Sequence, residues 1–288
     1  MGASGDSARE PRDGSTIMSV ATPIRRTTIR DLHEATARGE KWAMITAYDA
    51  LTARIFDDAG IPCLLVGDSA AQVVYGFDST LPVGVDDLVP LVAAVVRGSS
   101  RALVVADMPF GSYQSSVTQA MESAMRFMKD GGAHAVKIEG GQRVLAQVEA
   151  LVGAGIPVVG HLGLTPQSVN VFGGYRVQGR GEDGEALLRD AKALEAAGAC
   201  AVVLEVVPAE LAARVSEVLS IPTVGIGAGG ATDAQVIVWQ DMAGLTEGPR
   251  PKFVKAYADL RGILSDAATQ WADEVRTGAY PAPEHSYR

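Results

Sequence analysis

Five side chains able to do chemistry stand at the ends of short apolar runs. They are Asp68 in CLLVGD (63–68), Asp107 in ALVVAD (102–107), Glu139 in AVKIEG (135–140), His161 in PVVGHLG (157–163) and Glu205 in AVVLEV (201–206). Asp68, Asp107 and Glu139 close successive runs, and carboxylates gathered in one place raise one another's pKa values unless a cation neutralises them. With oxygen donors only and no Cys/His cluster, the hard cation Mg²⁺ fits better than Zn²⁺. Any one of these acids, taken alone, could instead cap a helix or pair with Lys or Arg. It is their shared placement that argues for a site. Lys137 lies two residues before Glu139, so a strand aims both side chains at the same face and Ile138 at the other. An inward lysine beside carboxylates calls for an anionic partner, such as a substrate carboxylate or keto oxygen. Glu205, set apart from the trio, is placed to take a proton. His161 shares that role or supports it through a polar contact.

These residues need a scaffold that brings the ends of many strands together. Eight runs supply it: AMITAY (43–48), the five runs above, PTVGIGAG (222–229) and VIVWQD (236–241). They are rich in Val, Ile and Leu without polar alternation, as strands covered on both faces of a parallel sheet are. Segments with apolar residues at three- and four-residue spacing separate most of them, and several stop at glycine: Gly131-Gly132, Gly155 and Gly198 read as helix ends. The expected fold is an α/β (β/α)₈ TIM barrel, with catalytic groups at the C-terminal ends of the strands. A short helix over 28–40 closes the bottom, and FVKAYADLRGILSDAATQWADEVRTG forms one long final helix. Residues 1–26 read as a mobile tail, with Met18 an alternative start, and 27–288 as one catalytic domain. The segment 162–184 is long for a loop in a compact barrel, which suggests a lid.

Composition narrows the partners. A net charge of −9 argues against nucleic acid and anionic membranes, and no apolar run is long enough for a signal peptide or membrane span. Cys63 and Cys200 begin predicted strands and read as core thiols in a reducing cytosol. Gly225, Gly227 and Gly230 satisfy G-x-G-x-x-G, but another strand follows within a few residues. A dinucleotide fingerprint must open a helix; a phosphate site or a close backbone approach fits the context better.

The runs ITAYDALTARIFDDAGI, LLVGDS, VVADMPFGSY, AVKIEGG, GHLGLTPQSVN, VQGRG, LEVVPAEL, IPTVGIGAG and VWQDM, in order from about residue 27, strongly resemble the ketopantoate (3-methyl-2-oxobutanoate) hydroxymethyltransferase family. The resemblance implies Mg²⁺-dependent transfer of one carbon from 5,10-methylenetetrahydrofolate to 3-methyl-2-oxobutanoate, giving 2-dehydropantoate for pantothenate synthesis. It also implies that Asp68, Asp107 and Glu139 hold the metal. Ser69 and Lys137 then contact the keto acid alongside Asp68 and Asp107, Glu205 is the base, and the enzyme is a cytoplasmic homo-oligomer, typically a decamer. The chain departs from the family pattern at Ala234, where glycine is common, and in the N-terminal tail. Two other readings compete. A phosphoenolpyruvate-mutase or isocitrate-lyase-like carbon–carbon lyase would be expected to show a cysteine or basic cluster at the mouth. A catalytically idle scaffold would require the acids at the strand ends to be accidental.

Overall fold

The computed structural model describes residues 25–287; most of the segment expected to be a mobile tail, with Met18, lies outside the described residues. Eight strands form a closed parallel barrel in chain order, with β8 pairing back to β1. They are β1 (Trp42–Thr46), β2 (Cys63–Val66), β3 (Leu103–Asp107), β4 (Ala135–Glu139), β5 (Val158–Gly163), β6 (Ala201–Glu205), β7 (Thr223–Ile226) and β8 (Ala234–Ile237). The principal helices are α1 (Ile29–Ala37), α2 (Ala50–Asp58), α3 (Ala70–Val73), α4 (Val85–Gly98), α5 (Val117–Lys129), α6 (Leu145–Gly153), α7 (Val169–Phe172), α8 (Glu182–Ala196), α9 (Ala209–Val218), α10 (Trp239–Met242) and α11 (Leu260–Thr277).

Two apolar clusters follow from the period of two along each strand. Outward residues such as Ile45, Leu64, Val104, Ile138 and Leu204 pack under α2, α4, α5, α6, α8 and α9. Inward residues such as Met44, Leu65, Val105, Ala135, Val159 and Val203 fill the barrel. The Thr28–Asp31 capping box starts α1, and its Leu32 joins this inner cluster, so α1 closes the bottom as expected. Cys63 and Cys200 are free thiols in the lower barrel. Among the described residues no helix is long and apolar enough to cross a membrane.

The structure corrects three boundaries. β8 runs over Ala234–Ile237 and the chain then turns into α10, so Trp239 and Asp241 belong to a short helix and not to a strand. The strand ends where its last pair with β1, Ile45–Ile237, ends, its pairing with β7 having stopped at Gly225–Gln235 as the glycines beyond Ile226 lead that chain away. Ala234, the departure from the family pattern, is therefore a strand residue facing the inner core. The final helix starts at Leu260 with Asp259 as its cap, and residues 253–259 are not helical. None of its residues is buried, and Ile263, Leu264, Trp271 and Val275 are exposed. The segment 162–184 is not structureless, since it contains a 3₁₀ turn at Pro166–Ser168 and α7. The glycine motif opens no helix, which removes the dinucleotide reading.

His134, just before β4, makes a stability prediction. Its Nδ1 accepts from the Val104 N–H at 3.0 Å, which requires the lone pair of the neutral ring. Burial, with Arg26 adding to it, pulls its pKa down to about 4. Because the folded-state value lies below the unfolded one, the contribution is complete at neutral pH and is lost as pH falls from about 6.5 towards about 4. Urea midpoints of the wild type should therefore fall on acidification, and His134→Asn, whose amide oxygen still accepts but does not titrate there, should flatten that part of the profile. Parallel profiles for the two proteins would rule it out.

Candidate active site

The barrel interior changes character near its C-terminal mouth. Below, it is Val, Ala, Met and Leu; above, the same inward positions carry Asp107, Lys137, Glu139, His161 and Glu205. Register makes this one surface, since Asp107 pairs with Lys137, Glu139 with His161, and Gly163 with Glu205 across β3–β6. Asp68 lies two residues beyond the end of β2, and its N–H donates to Asp107 Oδ2 at 3.1 Å. Ser69 follows at the start of α3, its Oγ 2.8 Å from the buried Tyr48 hydroxyl. Asp68, Ser69, Asp107, Lys137, Glu139, His161 and Glu205 line one cavity of about 520 Å³.

Lys137 is buried with Nζ 2.9 Å from Asp107 Oδ1 and 4.0 Å from Glu139 Oε1, as its spacing from Glu139 required. Burial works against its charge, but Asp107, Glu139 and Asp68 together raise its pKa and keep it an ammonium. Asp68 is pushed well above the usual carboxylate range by burial and by the charges of Asp107 and Glu139. Asp107 moves the same way, again chiefly through burial, with Lys137 opposing. Burial would raise Glu139 too, but His161, Lys137 and the Gln167 N–H hold it below its normal value.

His161 is the link between the two halves of the site. Nδ1 lies 3.3 Å from Glu139 Oε1 and 3.1 Å from Lys137 Nζ, and Nε2 lies 3.3 Å from Glu205 Oε2. Burial and Lys137 lower its pKa, yet the bonds to Glu139 and Glu205 outweigh them and raise it to about 9. His161 thereby bridges two carboxylates, with Lys137 Nζ against the same Nδ1. Glu205 does not stand isolated across the mouth, because His161 ties it to the cluster.

Local backbone aims Glu205. Val206, immediately after it, has φ +48, a conformation that a β-branched residue adopts only under constraint. Two hydrogen bonds impose it, from Val206 N–H to the Ile226 carbonyl and from Gln178 N–H to the Val206 carbonyl. Gly163 is required beside it, since a Cβ there would collide with the Glu205 carbonyl oxygen.

Sequence reasoning missed Gln167. It is buried, and its Nε2 donates to Asp68 Oδ2 and to the Met108 carbonyl, each at 2.9 Å. Its backbone N–H donates to Glu139 Oε2 at 3.0 Å, and its Oε1 accepts from the Tyr113 hydroxyl at 2.7 Å. One residue of the post-β5 segment thereby positions two carboxylates. An amide carries no charge pattern to betray such a role, and its place in that long segment was the only clue.

The donor chemistry fits a hard cation. Asp107 Oδ1 and Glu139 Oε1 are buried without a well-aligned hydrogen bond, although each has an ion-pair partner nearby. Such atoms are rare in native interiors and call for a ligand. Among the described residues no three His, Cys, Asp or Glu side chains already converge on one point as a cage. Mg²⁺ does not require one, because it is ordinarily held by one or two carboxylates plus water and substrate oxygens.

A (β/α)₈ barrel with buried acids, a lysine and a histidine at its C-terminal mouth has the layout of a small-molecule enzyme. A sequence profile described as ketopantoate hydroxymethyltransferase matches residues 26–283, and the chain belongs to that family. A 3-methyl-2-oxobutanoate hydroxymethyltransferase of Frankia casuarinae is 67% identical over 92% of this chain and 90% of its own length. The enzyme of the same name from Thermobifida fusca is also 67% identical, over 91% of this chain and 94% of its own. Among solved structures the chain is similar in fold to phosphonopyruvate hydrolase, with TM-score 0.59 and 13% identity over 90% of this chain and 93% of that one. It is also similar to 2,3-dimethylmalate lyase, with TM-score 0.56 and 17% identity over 91% of this chain and 92% of that one. At such identities the likeness is one of fold, so the lyase reading gains nothing from it.

Proposed function

We propose that this chain transfers a hydroxymethyl group from 5,10-methylenetetrahydrofolate to 3-methyl-2-oxobutanoate, giving 2-dehydropantoate in pantothenate biosynthesis, and that it depends on Mg²⁺. The observation that carries the reading is the juxtaposition in one cavity of a buried, charge-rich cluster and a carboxylate, Glu205, whose side chain is 18% exposed. Asp68, Asp107 and Glu139 hold the cation, which when bound supplies Lewis-acid stabilisation of the negative charge on the keto acid. Lys137 adds a fixed positive charge beside the developing enolate, and Ser69, oriented by Tyr48, donates to the keto acid. Glu205 removes the C3 proton; C3 then bonds to the folate-borne carbon, the bonds from that carbon to folate nitrogen break, and water supplies the hydroxyl oxygen. His161 holds Glu205 and Glu139 in place throughout.

A cytoplasmic homo-oligomer is what the family resemblance implies. The apolar residues exposed along α11 provide a surface for subunit contact, and the decamer follows from the family resemblance. The main test is calorimetric. The keto acid should bind measurably only when Mg²⁺ is present, and binding that ignores the metal, or no binding at all, would count against the proposal.

A further inference from the structure

The cavity is larger than the keto acid needs. A volume of about 520 Å³ suits a drug-sized ligand, whereas 3-methyl-2-oxobutanoate has only eight non-hydrogen atoms. The catalytic cluster occupies the part of the wall built by β2–β6. Much of the remainder comes from elements that the chemistry above does not use, namely the ends of β7 and β8, α10 and the segment after it.

That second wall carries one carboxylate and one aromatic ring. Asp241 on α10 lines the cavity; its Oδ1 accepts from the Thr246 hydroxyl at 2.7 Å, and among the described residues Oδ2 makes no hydrogen bond. Phe253 lines the same cavity and remains 39% exposed, with Tyr175 of the post-β5 segment lining it from the side of the catalytic carboxylates. Phe253 lies directly on the backbone of Gly227, where a Cβ would stand 2.8 Å from the ring. The glycine motif after β7 thus seats this ring. Lys252, next to Phe253, is an exposed cation at the rim of a protein with net charge −9.

We propose that Asp241 and Phe253 form the subsite for the pterin of the folate donor, with Lys252 facing its glutamyl carboxylates. This rests on the folate-dependent reaction proposed above. A reduced pterin presents an N–H and an adjacent amino group side by side, two donors that a carboxylate accepts together. Its flat ring system stacks on aromatic faces. Thr246 fixes one oxygen of Asp241 and so orients the side chain while the other oxygen stays available.

Two variants and two readouts test it. Asp241→Asn keeps an acceptor for Thr246 but replaces one acceptor with a donor facing the pterin donors. Phe253→Ala removes the ring. Tetrahydrofolate, which carries no transferable carbon, is titrated calorimetrically into each protein with keto acid and Mg²⁺ present. In parallel, C3 hydrogen exchange of the keto acid in D₂O is followed without folate. Tetrahydrofolate affinity should fall about tenfold or more in both variants, with exchange within twofold of wild type. Wild-type affinity in both variants would overturn the subsite and leave the proposed reaction standing. Loss of exchange in Asp241→Asn would place Asp241 with the keto acid instead. Wild-type protein that exchanges but does not bind tetrahydrofolate would overturn the folate reaction itself, and the subsite with it.

Discussion

Glu205→Gln is expected to lose C3 hydrogen exchange of 3-methyl-2-oxobutanoate with D₂O, and hydroxymethyl transfer with it, while Mg²⁺-dependent binding of the keto acid persists. Enolisation needs only the keto acid, the metal and a base, so the exchange isolates proton abstraction from everything that involves folate. The amide keeps the size of the side chain and an oxygen for the His161 ring, whose Nε2 lies 3.3 Å from Glu205 Oε2. What it lacks is a basic oxygen. A positioned general base contributes roughly 10²–10⁴-fold, and a loss of that order is expected here. Proton NMR of the C3 signal gives the rate directly. His161 is the competing base, although its pKa is raised to about 9 between two carboxylates. Exchange at the wild-type rate in Glu205→Gln would nonetheless transfer the role to His161.

Asp107 should be the residue whose loss weakens the metal most. Its Oδ1 and Oδ2 face Lys137 Nζ and the Asp68 N–H, so it is the hinge between the acid of β2 and the lysine of β4. Asp107→Ala removes a charge from a fully buried group of ions, and leaving one such partner unpaired costs about 3–5 kcal/mol. Mg²⁺ affinity should fall by roughly 10²-fold or more on that scale, together with metal-dependent binding of the keto acid. Because that variant also strips Lys137 of its nearest partner, Asp107→Asn serves as the control for folding, since its amide oxygen can still accept from the Asp68 N–H. Calorimetric titration of Mg²⁺ into both variants, with circular dichroism for folding, measures the effect. A folded Asp107→Asn protein that binds Mg²⁺ as the wild type does would show that the cation sits elsewhere.

The barrel and the position of its chemistry were written in the order of residues. Val, Ile and Leu runs without alternation can be buried only as strands covered on both faces, and eight of them close into one sheet. Where such a run ends in Asp, Glu or His, the side chain must emerge at the mouth. The two-residue spacing of Lys137 and Glu139 guaranteed a shared face for the same local reason. What the tertiary structure decided depends on residues far apart in the chain, which leave no local periodicity. Gln167 reaches Asp68, 99 positions away, and His161 joins Glu139 to Glu205 only because β5 lies between β4 and β6. Asp241 left its strand because the ladders to β7 and β1 both end before it, which moved it from a strand end into the cavity wall. Local pattern sets the period and direction of each element; which neutral amide, ring or acid meets which partner is set by closure of the barrel, where register and burial act between strands rather than along them.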